Sequence, residues 1–130
     1  EKAEISRRAL EEFLLELLTV LDHFELGLSA AEQHRVQDSI LEGFRRVHQQ
    51  LMRLLEKYGV RPIESVGRNF DPRIHEAVAH IPSEEHPENV IVAETRKGYT
   101  IGDRLLREAR VVVSAGPPQE EKQEDSGAEE

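Results

Sequence analysis

Up to Tyr58 the apolar side chains recur three and four residues apart, and beyond Gly59 they no longer do. This change of period constrains the fold more than any other feature. A 3.6-residue repeat lays apolar side chains along one helix face, and a two-residue repeat lays them along one sheet face. Ile5, Ala9, Phe13, Leu17, Val20 and Phe24 form the leading stripe of a predicted helix over Glu1–Leu28, widened by Leu10, Leu14, Leu18, Leu21 and Leu28. Leu26-Gly27-Leu28-Ser29 is expected to end it, with Ser29–Gln33 as a polar link to an antiparallel neighbour. A second helix is predicted over His34–Tyr58. Its Ile40, Phe44, Val47, Leu51, Leu54 and Tyr58 alternate four and three apart, the a/d spacing of a coiled-coil seam. Gly59 offers a left-handed stop and Pro62 follows it. Gly43 lies inside this helix at a cost of about 1 kcal/mol relative to alanine. It marks either a close approach or a tolerated residue.

Two helices with such wide apolar stripes cannot cover each other, and aromatics make up only 5% of the chain. A hairpin of this kind is expected to pair with a second copy into a four-helix bundle. The expected dimer interface is Phe13, Leu17, Val20, Ile40, Phe44, Val47, Leu51 and Leu54. The competing arrangement is a hairpin packed only on its own β part.

From Val60 on, short runs rich in valine and isoleucine predict strands at Val60–Val66, Ala77–Ile81, Val90–Thr95 and Arg110–Ser114. Lys97-Gly98 reads as a tight hairpin turn. Thr100–Arg107 reads as an irregular strand or loop around Gly102-Asp103. The expected fold is therefore α+β in three parts. Residues 1–58 form the helical dimerisation region, 59–114 a small antiparallel β domain, and 115–130 a disordered acidic tail. The tail carries −5 of the net charge of −9 and lacks apolar periodicity.

Between the helical and strand-like halves lies Gly67–Val78, reading GRNFDPRIHEAV. Gly67 tolerates a positive φ, Pro72 pushes Asp71 toward extended geometry, and Asp71 can bond its own downstream backbone. Phe70 stands just before this rigid turn. It either plugs a small core or presents a shaped recognition corner.

Tests for chemistry come out negative. His75-Glu76 and His80 approach the zinc-hydrolase pattern, but its histidines must lie four apart on one helix face. Here they lie five apart, which puts them on opposite faces of a strand. No phosphate-binding glycine loop and no nucleophile elbow is present, so no enzyme activity, cofactor or metal is expected. A mildly acidic body lacks the basic footprint of nucleic-acid binding. No apolar run is long enough to span a membrane. With no cysteine and no signal-peptide pattern, a cytoplasmic location is expected. Arg104, Arg107 and Arg110 read either as surface charge offsetting local acids or as forks aimed at a partner carboxylate.

Taken together, LLTVLDHFE at Leu17–Glu25, ILEGF at Ile40–Phe44, LLEKYGVRPI at Leu54–Ile63, FDPRIHEAV at Phe70–Val78 and KGYTIGDRLLREARVVVS at Lys97–Ser114 resemble the GrpE family. That family comprises nucleotide exchange factors for DnaK-type chaperones. The pieces occur in the family's order over roughly Glu11 to Ser114. The resemblance implies a parallel homodimer with a helical stalk, a four-helix bundle and a C-terminal β wing. A wing docks on the chaperone's nucleotide-binding domain, opens its cleft and releases ADP in protein folding and the heat-shock response. By the same resemblance, Phe70 and Arg104 are chaperone contacts, Thr95 and Val113 fall at further wing positions, and Gly43 matches a bundle glycine. Leu26 stands where relatives can carry a basic residue, so a charge contact there is put in doubt. Most of the family's long stalk is absent before Glu1, so stalk functions are expected to be missing from this chain. A dimeric tethering module without exchange activity is the alternative.

Overall fold

The computed structural model describes residues 2–118. Its elements are α1 (Lys2–Gln33), α2 (Asp38–Lys57), β1 (Val60–Pro62), β2 (His75–Ile81), β3 (Ile91–Arg96), β4 (Tyr99–Ile101), β5 (Arg104–Arg107) and β6 (Ala109–Ser114). Two long helices followed by short strands match the expected α+β class. The strands, however, form two three-stranded sheets rather than one antiparallel unit. The chain divides into two compact units, one of Glu1–Pro62 with Tyr99–Arg107, the other of the described residues of Ile63–Gly98 and Glu108–Glu130. A single break between residues 58 and 59 is therefore not how the contacts divide.

In the first unit, α1 runs through Gly27 instead of stopping there. A lone glycine costs only about 1 kcal/mol, and the good helix formers Ala30, Ala31, Glu32 and Gln33 follow it. The helix stops where Arg35 takes a φ of 58°. The Arg35 N–H donates to Glu32 O at 3.4 Å and the Val36 N–H to Ala31 O at 3.2 Å. These are the paired bonds of a Schellman closure, made without its usual glycine. At the other stop glycine is present as expected, with Gly59 at φ 88° after α2.

The core of this unit joins Leu14, Leu18 and Leu21 of α1 and Leu55 of α2 to Val60, Tyr99 and Leu106. Strands β1, β4 and β5 form its sheet in the order β1-β4-β5, all antiparallel. Thr100–Arg107, expected as an irregular strand or loop with a turn at Gly102-Asp103, thus belongs to a bulged hairpin packed with the helices. Full burial of Leu18 and Leu21 contributes about 2 kcal/mol each by area. The helices bury the secondary stripe of α1 against this sheet and leave most of the leading stripe exposed.

In the second unit, β6 lies between β2 and β3. It runs antiparallel to β3 but parallel to β2, with His75 opposite Ala109 and Ile81 opposite Ser114. A parallel pair needs a long crossover, which the chain from Pro82 to Glu108 supplies. Ile91, Ala109, Val111 and Val113 are the buried cluster, with Phe70 and Ala77 packed against it. Gly98 is required by close approach, because a Cβ there would lie 2.4 Å from the Ala109 backbone nitrogen. The strand expected over Val60–Val66 ends at Pro62, and β2 begins earlier than expected, at His75.

The first residues of the expected tail are bonded to this unit. The Ala115 N–H donates to Ile81 O at 2.7 Å, and Gly116 O accepts from the Ser83 N–H at 2.8 Å. Residues 119–130 lie outside the described part. Among the described residues, no helix is long and apolar enough to cross a membrane.

Candidate functional site

The corner GRNFDPRIHEAV is built from both sides of the second unit. Gly67 has φ 88°, and its N–H donates to Ile91 O at 2.9 Å while Arg68 O accepts from the Ile91 N–H at 2.9 Å. The Phe70 N–H then donates to Asn89 O at 2.9 Å. Residues 67–70 are thereby laid along the chain just before β3. Asp71 turns the chain, and its carbonyl accepts from the N–H groups of Ile74 at 3.0 Å and His75 at 2.8 Å. Its carboxylate accepts from the Arg73 backbone N–H at 3.0 Å and from the Arg73 guanidinium at 2.9 and 3.1 Å. Those bonds, the guanidinium first, hold the Asp71 carboxyl below the usual carboxylate range.

Phe70 combines the two readings of its role. One part of the side chain packs on the buried cluster, and the residue as a whole is only half-buried. Its ring lies 6.0 Å from the His75 imidazole. Thr95 is exposed on β3 and its hydroxyl donates to Arg110 O at 3.3 Å. Val113 is 0% exposed at the centre of the cluster. Its side chain packs within the sheet's core and does not reach the surface of this chain.

In the first unit, Arg104 on β5 pairs with Glu11 of α1. That hydrogen bond raises the guanidinium pKa. Arg107, almost fully buried, pairs with Asp22 of α1 at 2.7 Å. It also sits over the Tyr99 ring, 5.5 Å from its centroid. Three residues apart on a regular strand, the two arginines would point to opposite faces. Here β5 carries an extra residue opposite β4, because Thr100 pairs with Leu105 and Tyr99 with Arg107. Such a bulge resets the alternation, and both side chains reach α1. Arg110, in the second unit, pairs with Glu76 at 3.2 Å. All three arginines thus offset acids of this chain.

Gly43 is exposed on α2, and a Cβ added there meets nothing within 4 Å. Close packing within the chain does not explain it. Of the expected dimer positions, Phe13, Val20, Ile40, Phe44, Val47 and Leu54 are all exposed, Phe13 and Val20 by 60% or more. Leu17 and Leu51 are partly buried against the unit's own core. Phe24 and Phe44 meet with ring centroids 6.2 Å apart, beside an apolar cleft of about 340 Å³ lined also by His23, Gly27, Leu28 and Ala31. The His75–Glu76…His80 set does not converge, since His75 is buried and His80 exposed. Among the described residues, no group of three or more potential ligands could hold a metal ion.

A family model described as GrpE matches residues 1–115. The chain belongs to the GrpE family. It is 42% identical over 115 residues to Protein GrpE of Aquifex aeolicus, covering 88% of this chain and 63% of that protein. It is 40% identical over 126 residues to Protein GrpE of a Synechococcus strain, covering 93% and 52%. With Protein GrpE of Hydrogenovibrio crunogenus the identity is 43% over 107 residues, covering 82% and 58%. The chain therefore spans between about half and just under two-thirds of these curated relatives. The GrpE match contains the FDP corner, both arginines and the exposed helix stripes. Three participants lie outside the expected set of site residues: Glu11, which reads in sequence as solvated charge, Asp22 and His75. Glu11 and Asp22 stand eleven residues apart, three helical turns, and so share a face of α1. That spacing was the available signal. His75 was weighed only as a metal ligand, although a buried imidazole more often serves the local hydrogen-bond network.

Proposed function

We propose that this chain is a nucleotide exchange factor for a DnaK-type chaperone, acting as a cytoplasmic homodimer and carrying out no covalent chemistry. The observation that carries the reading is membership of the GrpE family across residues 1–115, which takes in both compact units. Binding the chaperone's nucleotide-binding domain in its open form shifts that domain's population toward opening and releases ADP. Linkage then requires that bound ADP weaken the factor's binding by the same ratio. Phe70, Thr95 and Arg104 are the proposed contacts, with Gly43 on the bundle. Arg104 must exchange Glu11 for a carboxylate or carbonyl of the chaperone, or bridge the two.

The homodimer reading is supported by the exposed stripes of α1 and α2. Phe13, Val20, Phe44 and Val47 form apolar surface of the kind that a second hairpin buries in a bundle. Release of a fluorescent ADP from the chaperone tests the function. The expected result is acceleration that saturates with added chain and is reduced by Arg104→Ala. Unchanged release at saturating chain would refute exchange. Binding without faster release would favour a dimeric tethering module instead, a reading that gains from Val113 being buried and Arg104 already paired.

A further inference from the structure

The least explained group in the second unit is the imidazole of His75. It is 4% exposed and opens β2, directly after the corner. Its Nδ1 lies 2.9 Å from the Asp71 backbone nitrogen and accepts that N–H. The His75 N–H in turn donates to Asp71 O at 2.8 Å. The two residues are bonded in both directions, closing a ring around Pro72, Arg73 and Ile74. A neutral imidazole that accepts at Nδ1 carries its proton at Nε2. That Nε2 is buried and has no hydrogen-bond partner among the described residues. Keeping a buried donor unpaired opposes folding, so the position retains an imidazole at a cost. An apolar side chain would avoid that cost and fill the same space.

What the imidazole supplies in return is an acceptor and a platform. Without Nδ1, the half-buried Asp71 N–H loses the acceptor that it has in the folded corner. The Phe70 ring rests 6.0 Å from the imidazole at an interplanar angle of 30°. Phe70 is held on its N-terminal side by the Asn89 carbonyl, and the next residue is fixed by the bond to Nδ1 together with the bonds that the Asp71 carbonyl accepts from Ile74 and His75.

We propose that His75 is a positioning residue for Phe70: its Nδ1 locks the Asp71 N–H and thereby sets the orientation in which the half-exposed Phe70 ring meets a protein partner. The functional half of this inference rests on the proposed chaperone reading, while the hydrogen bond itself does not. A proton added at Nδ1 would turn the acceptor into a donor and break the lock.

The test separates the two halves. In the isolated full chain, ¹⁵N NMR should show the Nε2–H tautomer and a coupling across the hydrogen bond between the Asp71 amide nitrogen and His75 Nδ1. The opposite tautomer, or a missing coupling beside a well-resolved Asp71 amide, overturns the lock whatever the chain binds. For function, His75→Asn keeps an acceptor near Nδ1 and His75→Leu removes it. Affinity for the chaperone should fall about tenfold in His75→Leu, as expected for one lost buried hydrogen bond, with substantial recovery in His75→Asn. The loss should shrink to less than about twofold when Phe70→Ala is already present, since the lock then has nothing to orient. An equal loss with and without Phe70 would mark His75 as merely structural and overturn the inference. If the wild-type chain does not bind the chaperone, the function reading fails and the positioning of Phe70 toward that partner falls with it. The NMR result on the lock stands separately.

Discussion

The two units bury their apolar residues in opposite ways. In the second unit β6 is flanked by strands on both sides, and Ile91, Val111 and Val113 are fully buried. Among the described residues, its exposed large apolar side chains are Val66, Val78 and Ile81. In the first unit α1 buries Leu14, Leu18 and Leu21, while Ile5, Leu10, Phe13, Val20 and Leu26 stay exposed on the same helix. A small sheet closes a core from its own chain because each strand supplies a neighbour for the next. A two-helix hairpin offers more apolar face than one partner helix and one short sheet can cover. The second unit thus closes its own core, while the first leaves apolar surface on α1 and α2 that its own chain does not cover.

The largest expected effect follows from that asymmetry. Replacing Phe44 and Val47 by aspartate puts charge into the open face of α2, and in a symmetric bundle each change counts twice. Dimer affinity should fall by at least about a hundredfold, given roughly 1.5–3 kcal/mol for each large apolar side chain buried. Sedimentation and the concentration dependence of the helical melt read this out. Amide protection at Val111 should be untouched. A wild-type chain that sediments as a monomer at all accessible concentrations would show that no second copy covers the open face of the first unit.

The mirror experiment strikes the closed unit. Gly98→Ala drives a methyl group into the Ala109 backbone, where relief requires moving β6 rather than a flexible side chain. The expected destabilisation is about 3 kcal/mol. Protection should be lost across β2, β3 and β6 while helical circular dichroism persists. If the helices melt together with the second unit at one midpoint, the units are not independent and the comparison must be redrawn.

Much of this was legible from periodicity. The 3–4 spacing located both helices, and valine-rich runs located β3 and β6. The limits of that reading have definite causes. Gly27 alone reads as a stop, but the favourable residues after it carry the helix on, and the real stop uses Arg35 in a left-handed conformation that arginine does not announce. The pairing of β2 with β6 is parallel, and a two-residue alternation carries no information about strand direction. Tyr99–Arg107 joined the helices because Val60, Tyr99 and Leu106 find their apolar partners on α1 and α2, a preference of tertiary origin. At the site, the resemblance drew attention to Phe70 and Arg104. Their supporting partners, His75 and Glu11, become visible only when the chain is folded. Burial of Val113 was likewise hidden, since Val111, Val112 and Val113 are alike in sequence.

Within the first unit, the Asp22–Arg107 pair separates the part that is finished from the part that is not. It ties α1 to β5 beside the Tyr99 ring, on the buried side of the helix. Asp22→Ala removes one carboxylate from a nearly buried guanidinium. Because Asp22 is itself partly exposed, the cost belongs below the full range for broken buried pairs, at about 2 kcal/mol. Thermal melts of the monomeric Phe44→Asp/Val47→Asp background should show this loss undiminished, since the pair lies on the closed side. A loss seen only in the dimer would place the pair's contribution in assembly rather than in the unit.

The smallest expected effect concerns the corner of the second unit, where a solvent-facing ion pair backs up the buried lock. Arg73 lowers the folded-state pKa of Asp71, so the ionised carboxylate favours the folded corner. The sign follows from linkage: this contribution is fully present above the ordinary carboxylate pKa and is lost as pH falls through the lowered folded value. Arg73 is almost entirely exposed, so water and salt screen the pair and the effect on global stability is slight. The informative measurement is local. A ¹³C titration of the Asp71 carboxyl should show a midpoint below that of an unstructured aspartate, and Arg73→Ala should move it upward toward the ordinary value. The Asp71 amide should stay protected throughout if His75 holds it independently. An unmoved midpoint in Arg73→Ala would transfer the cause to the neighbouring backbone N–H. Simultaneous loss of amide protection would mean that the exposed pair and the buried lock are one device.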